Sequence, residues 1–221
     1  MAMNGGRWRP LRRLLALALA PLPVPARGEG TGEDRLWLRW RWGWVRGWAA
    51  RPGWRARELL GGPRIRVGRR FALFGRLEAR GPGAVVIGDD VIVDAVTTPF
   101  THARDARIEI GSHSYVNGTR FGCASLIRIG EGAILGDARL LDTDFHPVHR
   151  DQRHDPHAEP AIAPILVEEN VWVGAGSAVL KGVHIGRDAV VAFGSVVVRD
   201  VEAGSVVAGN PARPVARVPG A

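Results

Sequence analysis

The chain has 221 residues, a formal net charge of +8 and a single cysteine, Cys123. This length suits one compact domain with a short appendage, and one cysteine excludes an internal disulfide framework or a cysteine-rich zinc module. The charge is divided unevenly, because residues 1–80 contain 18 Arg and 5 acidic residues, whereas residues 81–221 contain 12 basic and 17 acidic residues. The average therefore describes neither part, and we expect no nucleic-acid partner.

The first 33 residues read as a flexible or disordered extension. Arg12 and Arg13 precede an apolar run, Leu14 to Ala20, in the order of a signal peptide, but a poor cleavage site follows. The run is also much shorter than the roughly 20 residues that a membrane-spanning helix needs. We expect a cytoplasmic protein that could associate with a membrane, and a removed signal peptide is the alternative.

Residues 34–80 form a segment rich in Trp and Arg, for which a helix is the favoured structure. Four Trp residues share one helix face: Trp37, Trp40, Trp44 and Trp48. Trp and Arg also alternate over residues 39–42, which allows a strand instead. Such a helix could contact a membrane interface through residues 34–54, or it could pack across the open end of the following domain. We favour packing.

A six-residue repeat dominates the rest of the chain. From Val167 to Ala208 seven consecutive units begin with an aliphatic residue or, in the last, with Ala, and less regular units begin at Ile87, Ile110 and Ile129. This period does not fit the 3.6-residue turn of an α-helix, but it fits short β-segments joined by tight corners. The repeat predicts an all-β triangular solenoid over residues 81–217, with aliphatic residues inward and Gly, Asp and Asn at the corners.

Three further features accompany the repeat: the break after Asp142-x-Asp144-x-His146-Pro, the run from Asn170 to Ser177, and the ending Ala208-Gly-Asn-Pro-Ala-Arg213. Together they resemble the hexapeptide-repeat acyltransferases, closest to the maltose and galactoside O-acetyltransferases and the related exopolysaccharide sugar O-acetyltransferases. The resemblance covers residues 85–217. It implies a left-handed parallel β-helix, a homotrimer, acetyl-CoA as donor, and acetyl transfer to a sugar or polysaccharide-precursor hydroxyl.

Acetyl transfer to an alcohol needs a base that takes the hydroxyl proton. The sequence has no Gly-x-Ser-x-Gly elbow, and Cys123 has no His motif beside it, so direct attack is simpler than a covalent intermediate. The resemblance assigns the base to His146, which stands where the regular repeat stops and a long loop begins. Asp144 alternates onto the same side of an extended segment and could orient the ring. Asp142 could do so instead, or either carboxylate could fill a solvated corner.

The resemblance also implies binding residues. Asn117 matches a family Asn at the acceptor or acetyl site, with a corner residue as the alternative, and Asp142 is a second candidate for binding substrate. The contacts to CoA fall on the C-terminal coils, and Arg for Lys at position 199 keeps the positive charge that phosphate needs. The matching positions are Trp172, Ala175, Phe193, Val198, Arg199 and Arg213.

Three more His residues lie in the loop: His149, His154 and His157. Their His-x-x-His spacing can bind zinc, but the lack of nearby Cys and the presence of Pro147 and Pro156 favour a polar lid, so we expect no metal.

Two alternative functions remain open. One is a serine or amino-sugar N-acetyltransferase of the same fold, and the other is a non-catalytic scaffold built from the same repeat.

Overall fold

The computed structural model describes residues 33–220 and gives side-chain detail from residue 40 onward. One α-helix, α1 (Glu33–Leu59), precedes twenty β-strands. The predicted extension and the alternative signal peptide concern residues that lie almost wholly outside this described part. Within it, no helix is both long and apolar enough to cross a membrane.

The strands form three sheets, and the chain visits the sheets in turn. Sheet 1 contains β1 (Arg64–Val67), β4 (Ala84–Ile87), β7 (Arg107–Ile110), β10 (Leu126–Ile129), β13 (Ile165–Val167) and β16 (His184–Ile185). Sheet 2 contains β2 (Ala72–Leu73), β5 (Ile92–Asp94), β8 (Tyr115–Asn117), β11 (Ile134–Gly136), β14 (Trp172–Val173), β17 (Val190–Val191), β19 (Ser205–Gly209) and β20 (Ala212–Arg217). Sheet 3 contains β3 (Arg76–Leu77), β6 (Val96–Thr101), β9 (Arg120–Cys123), β12 (Arg139–Leu141), β15 (Ala178–Leu180) and β18 (Val196–Val197).

Each set of three consecutive strands makes one coil, and parallel pairing stacks six complete coils and part of a seventh. Equivalent residues of successive coils stand in register, as Ile65, Val85, Ile108 and Ile127 do in sheet 1. Backbone groups of each coil are therefore satisfied by the neighbouring coil, which is why segments of two to six residues suffice as strands.

The interior is filled by the aliphatic residue that begins each hexad and by the small or β-branched residue at its fifth position. The six first-position residues from Val167 to Val197 are at most 3% exposed, as predicted. Ala203, which begins the seventh unit, is exposed, because Val201 and Val207 take the inward positions of the shorter last coil. Asp90, Asn170 and Asp188 adopt left-handed backbone conformations with φ of 58°, 56° and 59°. Corner residues of these types were expected, since their short polar side chains tolerate this region.

The solenoid begins at Arg64, one coil earlier than the predicted boundary at residue 81. This first coil lies within the predicted Trp/Arg-rich segment, residues 34–80. Its inward residues are Ile65, Phe71 and Leu77, which are 2% to 7% exposed. Their six-residue spacing was the available signal, and the five Arg residues between positions 64 and 76 obscured it.

Helix α1 covers the N-terminal end of the solenoid, the arrangement that we favoured. Two glycines lie against the first coil, so that a Cβ atom on Gly47 would stand 2.5 Å from the carbonyl oxygen of Phe71. Trp54 is buried and packs edge-on against the Phe71 ring, with 6.1 Å between ring centroids. A Cβ atom on Gly43, the second glycine, would stand 2.7 Å from the ring of Phe74.

The packed face of α1 differs from the predicted Trp stripe. Trp40 does meet the first coil, with its ring 5.7 Å from that of Phe74. Trp48, however, keeps 49% of its surface exposed. The reason is that the helix approaches most closely where side chains are absent, at Gly43 and Gly47, which moves the larger Trp residues to its flanks.

Arginine side chains of α1 cap the end of the solenoid. Three of them donate hydrogen bonds to first-coil carbonyls: Arg46 to Gly75 at 2.9 Å, Arg51 to Gly68 at 2.8 Å and Arg57 to Ala79 at 3.2 Å. The first coil has no preceding coil to supply N–H donors, and an unpaired buried carbonyl is costly. Part of the unusual Arg content of this segment therefore serves the backbone of the end coil.

The C-terminal end is closed differently. Strand β20 turns back and pairs antiparallel with β19, so that Ser205 stands opposite Arg217. The tail after Gly209 thereby becomes the last strand of sheet 2 and covers this end of the solenoid.

Two glycines of α1 test this packing. We expect Gly47→Ala to lower the free energy of unfolding by about 1–3 kcal/mol, because the added methyl group overpacks the contact with the first coil. Gly53, in the same helix, has open space around it, and a Cβ atom added there would meet no atom within 4 Å. Gly53→Ala should therefore stabilise the protein by about 0.5–1 kcal/mol through helix propensity. Urea denaturation measures both, and stabilisation by both variants would show that α1 does not pack on the solenoid.

Candidate active site

The longest interruption of the solenoid lies between β12 and β13, where residues 142–164 leave the coil. The two ends of this loop pair with each other, as Thr143 and Ile162 form an antiparallel bridge. The amide of Ala163 also donates to the carbonyl of Asp142 at 3.0 Å. A short 3₁₀ turn, Arg150–Gln152, is the only helical element in the described loop. Because the two ends of the loop are held together, side chains close to these ends have defined positions.

His146 lies near the start of this loop and is exposed. The preceding residue, Phe145, has φ of 62°, a left-handed conformation that a bulky residue rarely adopts. A hydrogen bond of 3.1 Å from the amide of Phe145 to the hydroxyl oxygen of Thr143 supports this turn. The turn therefore leaves His146 on the outer surface, where it is accessible to substrate.

Asp144 contacts a different partner from the one predicted. Its carboxylate accepts a hydrogen bond of 2.7 Å from the ammonium group of Lys181, and both side chains are about 30% exposed. Lys181 comes from the next coil, so the ion pair ties the loop base to the solenoid. The predicted role of Asp144 in orienting the His146 ring stays a prediction, for which the second carboxylate oxygen is the candidate atom.

Asp142 is a structural residue in this arrangement, which corrects its assignment to substrate binding. Its side chain is fully buried. The carboxylate accepts hydrogen bonds from the amides of Ala124 at 2.6 Å and Ser125 at 2.8 Å, and from the thiol of Cys123 at 3.4 Å. These bonds satisfy a corner of the preceding coil, so the oxygens of Asp142 point into the protein and away from a substrate.

Asn117 ends β8, in extended conformation and half-buried. The left-handed residue at this corner is Gly118, with φ of 63°. The alternative interpretation of Asn117 as a residue chosen to occupy the left-handed region is therefore not supported. Its amide side chain remains a candidate for substrate binding.

The predicted site residues fall on two edges of the solenoid. The His146 edge, between sheets 3 and 1, holds His146, Val198 and Arg199. The Asn117 edge, between sheets 2 and 3, holds Asn117, Ala175 and Phe193. Sheet 3 separates the edges, and a four-residue strand such as β9 spans about 10 Å at the usual rise per residue. One copy of the chain therefore does not bring Asn117 and His146 together.

The predicted CoA contacts are on the surface of the C-terminal coils. Trp172, Phe193 and Val198 keep 52%, 80% and 43% of their surfaces exposed. Arg199 and Arg213 are also exposed, and no carboxylate among residues 40–220 forms an ion pair with either of them. Two positive charges are thus available to phosphate oxygens.

Sequence reasoning missed an aromatic cluster beside His146, which consists of Phe100, His102 and Phe145. The ring of His102 lies 4.3 Å from that of Phe100 and 4.9 Å from that of Phe145, measured between centroids. Phe145 could have attracted notice as the neighbour of His146. Its partners come from two coils earlier, and no local motif marks them.

The loop histidines do not converge. His149 stands 3.9 Å from the carboxylate of Asp151 and is exposed. In the part of the chain that the structure describes, no three His, Cys, Asp or Glu side chains are grouped so that they could hold a metal ion.

The repeat region of the chain is similar to known proteins. Residues 164–199 match the family model described as bacterial transferase hexapeptide (six repeats). A Schizosaccharomyces pombe protein that bears a provisional acetyltransferase name is 29% identical over 135 residues, which cover 61% of this chain and 64% of that protein. The 2,3,4,5-tetrahydropyridine-2,6-dicarboxylate N-acetyltransferase of Staphylococcus aureus is 46% identical over 54 residues, covering 24% and 23% of the two chains. The chain thus matches less than two thirds of the length of each relative.

Two solved structures share the fold. A polysialic acid O-acetyltransferase superposes with a TM-score of 0.59 and 24% identity, covering 72% of this chain and 77% of that one. A hexapeptide-repeat acetyltransferase of Vibrio cholerae, solved with acetyl coenzyme A, superposes with a TM-score of 0.51 and 18% identity over 99% and 92% of the two chains. The predicted left-handed parallel β-helix with an N-terminal helix is confirmed.

The environment of Cys123 predicts an unreactive thiol. Burial, reinforced by the carboxylate of Asp142, raises the pKa of this thiol to about 12. The folded pKa exceeds the unfolded value, so this neutral thiol stabilises the fold fully below the unfolded pKa, and the contribution is lost as pH rises towards 12. At pH 8 we expect no reaction of the native chain with Ellman's reagent, and one thiol per chain after unfolding in guanidinium. Rapid stoichiometric labelling of the native protein would contradict this placement.

Proposed function

We propose that the protein is an acetyl-CoA-dependent O-acetyltransferase that acts on a sugar or polysaccharide-precursor hydroxyl, with His146 as general base. The observation that carries this proposal is the interrupted coil at residues 142–164, whose paired base holds an exposed His on an otherwise regular solenoid. A scaffold gains nothing from such a break, whereas long loops in compact repeats usually carry function. The acetyltransferase names among similar proteins support the same reaction class.

The reaction follows from the chemistry of a thioester and an alcohol. The acceptor hydroxyl oxygen attacks the thioester carbonyl carbon while a ring nitrogen of His146 takes the hydroxyl proton. A C–O bond forms, the C–S bond breaks, and the proton passes from His146 to the departing thiolate. The products are the acetyl ester and free CoA. This direct route uses no nucleophile from the protein, which agrees with the buried, protonated state of Cys123.

The positions of the candidate residues support a site between copies of the chain. His146 lies on one edge of sheet 3, whereas Asn117 and the exposed Phe193 lie on the other. If two copies stand side by side, the His146 edge of one meets the Asn117 edge of the next, and acetyl-CoA lies along the groove between them. A closed ring of three copies uses each edge once per subunit. We therefore retain the homotrimer as part of the proposal, with Arg199 and Arg213 near the phosphates.

The acceptor class has one competing assignment. The Staphylococcus aureus relative transfers acetyl to nitrogen by its name, so an amino-sugar or serine acceptor is the second candidate. The branch of maltose and galactoside O-acetyltransferases stays a prediction. A panel of amino sugars and neutral sugars with acetyl-CoA, followed by mass spectrometry of the products, separates nitrogen from oxygen transfer.

The general base is tested by a pair of loop histidines. His146→Ala should lower kcat by about 10²–10⁴, the usual contribution of a positioned base, with little change in the KM for acetyl-CoA. His149→Ala removes an exposed ring three residues away in the same loop and should leave kcat within about twofold. Release of free thiol from acetyl-CoA in the presence of acceptor measures both. If His146→Ala keeps turnover within about tenfold of wild type, His146 is not the base.

The outward face of α1 supports the predicted membrane contact through residues 34–54. Trp42, Val45 and Trp48 keep 66%, 43% and 49% of their surfaces exposed, although the opposite face of the helix is packed on the solenoid. A solvent-facing helix face is ordinarily polar. Indole rings settle at the level of lipid headgroups, and the net positive charge of residues 1–80 attracts anionic lipids. We propose that this face rests on an anionic membrane surface on the cytoplasmic side.

Vesicle sedimentation tests the membrane contact. The full-length protein should bind vesicles that contain phosphatidylglycerol more strongly than vesicles of phosphatidylcholine alone, and Trp42→Ser with Trp48→Ser should abolish the difference. Trp172→Ser is the matched control, since it removes a Trp that is 52% exposed on the solenoid wall. Equal binding by all variants would contradict the contact. A change of oligomeric state in the double variant would instead assign this face to subunit packing.

A further inference from the structure

The aromatic cluster of Phe100, His102 and Phe145 spans three coils of the solenoid. Both contacts of the His102 ring are edge-to-face, with interplanar angles of 66° and 64°. The ring of Phe145 lies over Gly122, where an added Cβ atom would stand 2.5 Å from its Cζ atom. A glycine in the middle coil therefore allows Phe145 to reach back towards His102. The cluster is a built feature of this surface and depends on two residues of one coil, a glycine in the next and Phe145 after the third.

The cluster lies on the His146 edge, on the N-terminal side of His146. Phe100 belongs to the end of β6 and His102 follows that strand, two coils before the loop. Val198 and Arg199 follow β18 on the same edge, two coils after it. His146 thus separates the cluster from the residues proposed to hold CoA. Both substrates must reach His146. If CoA lies on the side of Val198 and Arg199, the acceptor approaches from the side of the aromatic cluster.

The chemistry of the cluster fits a partly apolar ligand. Phe100 and Phe145 keep 36% and 37% of their surfaces exposed, although the neighbouring outward residues of sheet 3 include the exposed Arg120 and Arg139. Burial lowers the pKa of His102, which favours the neutral ring and therefore an uncharged aromatic surface. Aromatic faces carry a negative quadrupole that attracts the polarised C–H groups of a ligand.

We propose that Phe100, His102 and Phe145 bind the acceptor, taking the apolar face of a pyranose ring and presenting one of its hydroxyls to His146. This inference rests on the proposed function and names its acceptor site. A pyranose ring has a face of axial C–H groups and a rim of hydroxyls, so it can cover the aromatic side chains while one hydroxyl points along the edge towards the base. The unfavourable backbone conformation of Phe145 is consistent with this role, since such strain persists mainly at functional positions.

The test measures the KM for the acceptor and the KM for acetyl-CoA separately. In Phe100→Leu/Phe145→Leu the apolar bulk is kept and the aromatic faces are lost, so the KM for a sugar acceptor should rise by about tenfold. The KM for acetyl-CoA should stay within about twofold, because the donor binds on the other side of His146. Leu60→Ala, which truncates a side chain 87% exposed just after the C-terminus of α1, serves as the control. Phe100→Leu alone leaves the loop untouched and should show part of the effect if the double variant folds poorly.

Direct binding keeps the two proposals distinguishable. Saturation-transfer NMR with a panel of methyl pyranosides, in the presence of CoA, should show ring C–H contacts with the wild-type protein that the double variant loses. If sugars bind in this way but no acetyl product forms, the proposed reaction fails and the binding site stands. An unchanged acceptor KM, a rise in the KM for acetyl-CoA instead, or the absence of pyranoside binding to the wild type would overturn the site.

Discussion

Backbone hydrogen bonding between stacked coils is the constraint on which the rest of this structure depends. Each coil satisfies the backbone groups of its neighbour, so strands of a few residues are stable, and two inward residues in every six fill the interior. The same constraint leaves the two terminal coils incomplete. The N-terminal coil is completed by Arg side chains of α1 that donate to its carbonyls, and the C-terminal coil by the reversed strand β20.

The constraint also decides where a functional loop can leave. A segment that departs from a strand would break the ladder on both sides, whereas residues 142–164 depart at a corner and pair with themselves at the base. Asp142 accepts hydrogen bonds from two backbone amides at the corner of the preceding coil. Asp144 ties the loop to the next coil through its ion pair with Lys181. The two carboxylates next to His146 therefore fix the position of the loop, and the exposed edge is left for substrate.

The sequence predicted what is periodic and local. The inward residues from Val167 to Val197 and the left-handed corners at Asn170 and Asp188 follow from a six-residue spacing that any coil must repeat. Contacts between coils join residues about 20 to 40 positions apart, and they have no such signature. The partners of Asp142 and Asp144 and the meeting of Phe145 with His102 could not be predicted for that reason. The position of His146 at the coil break was accessible from the sequence, whereas the assignment of its neighbours required the fold.

The central claim is that donor and acceptor meet at His146 from opposite sides along one edge of the solenoid. A crystal structure of the protein with CoA and a methyl pyranoside tests it most directly. The account predicts the CoA sulfur and one sugar hydroxyl within contact of the His146 ring, with the sugar on the side of Phe100 and the phosphates on the side of Arg199. A sugar or CoA sulfur bound away from the His146 edge would contradict it.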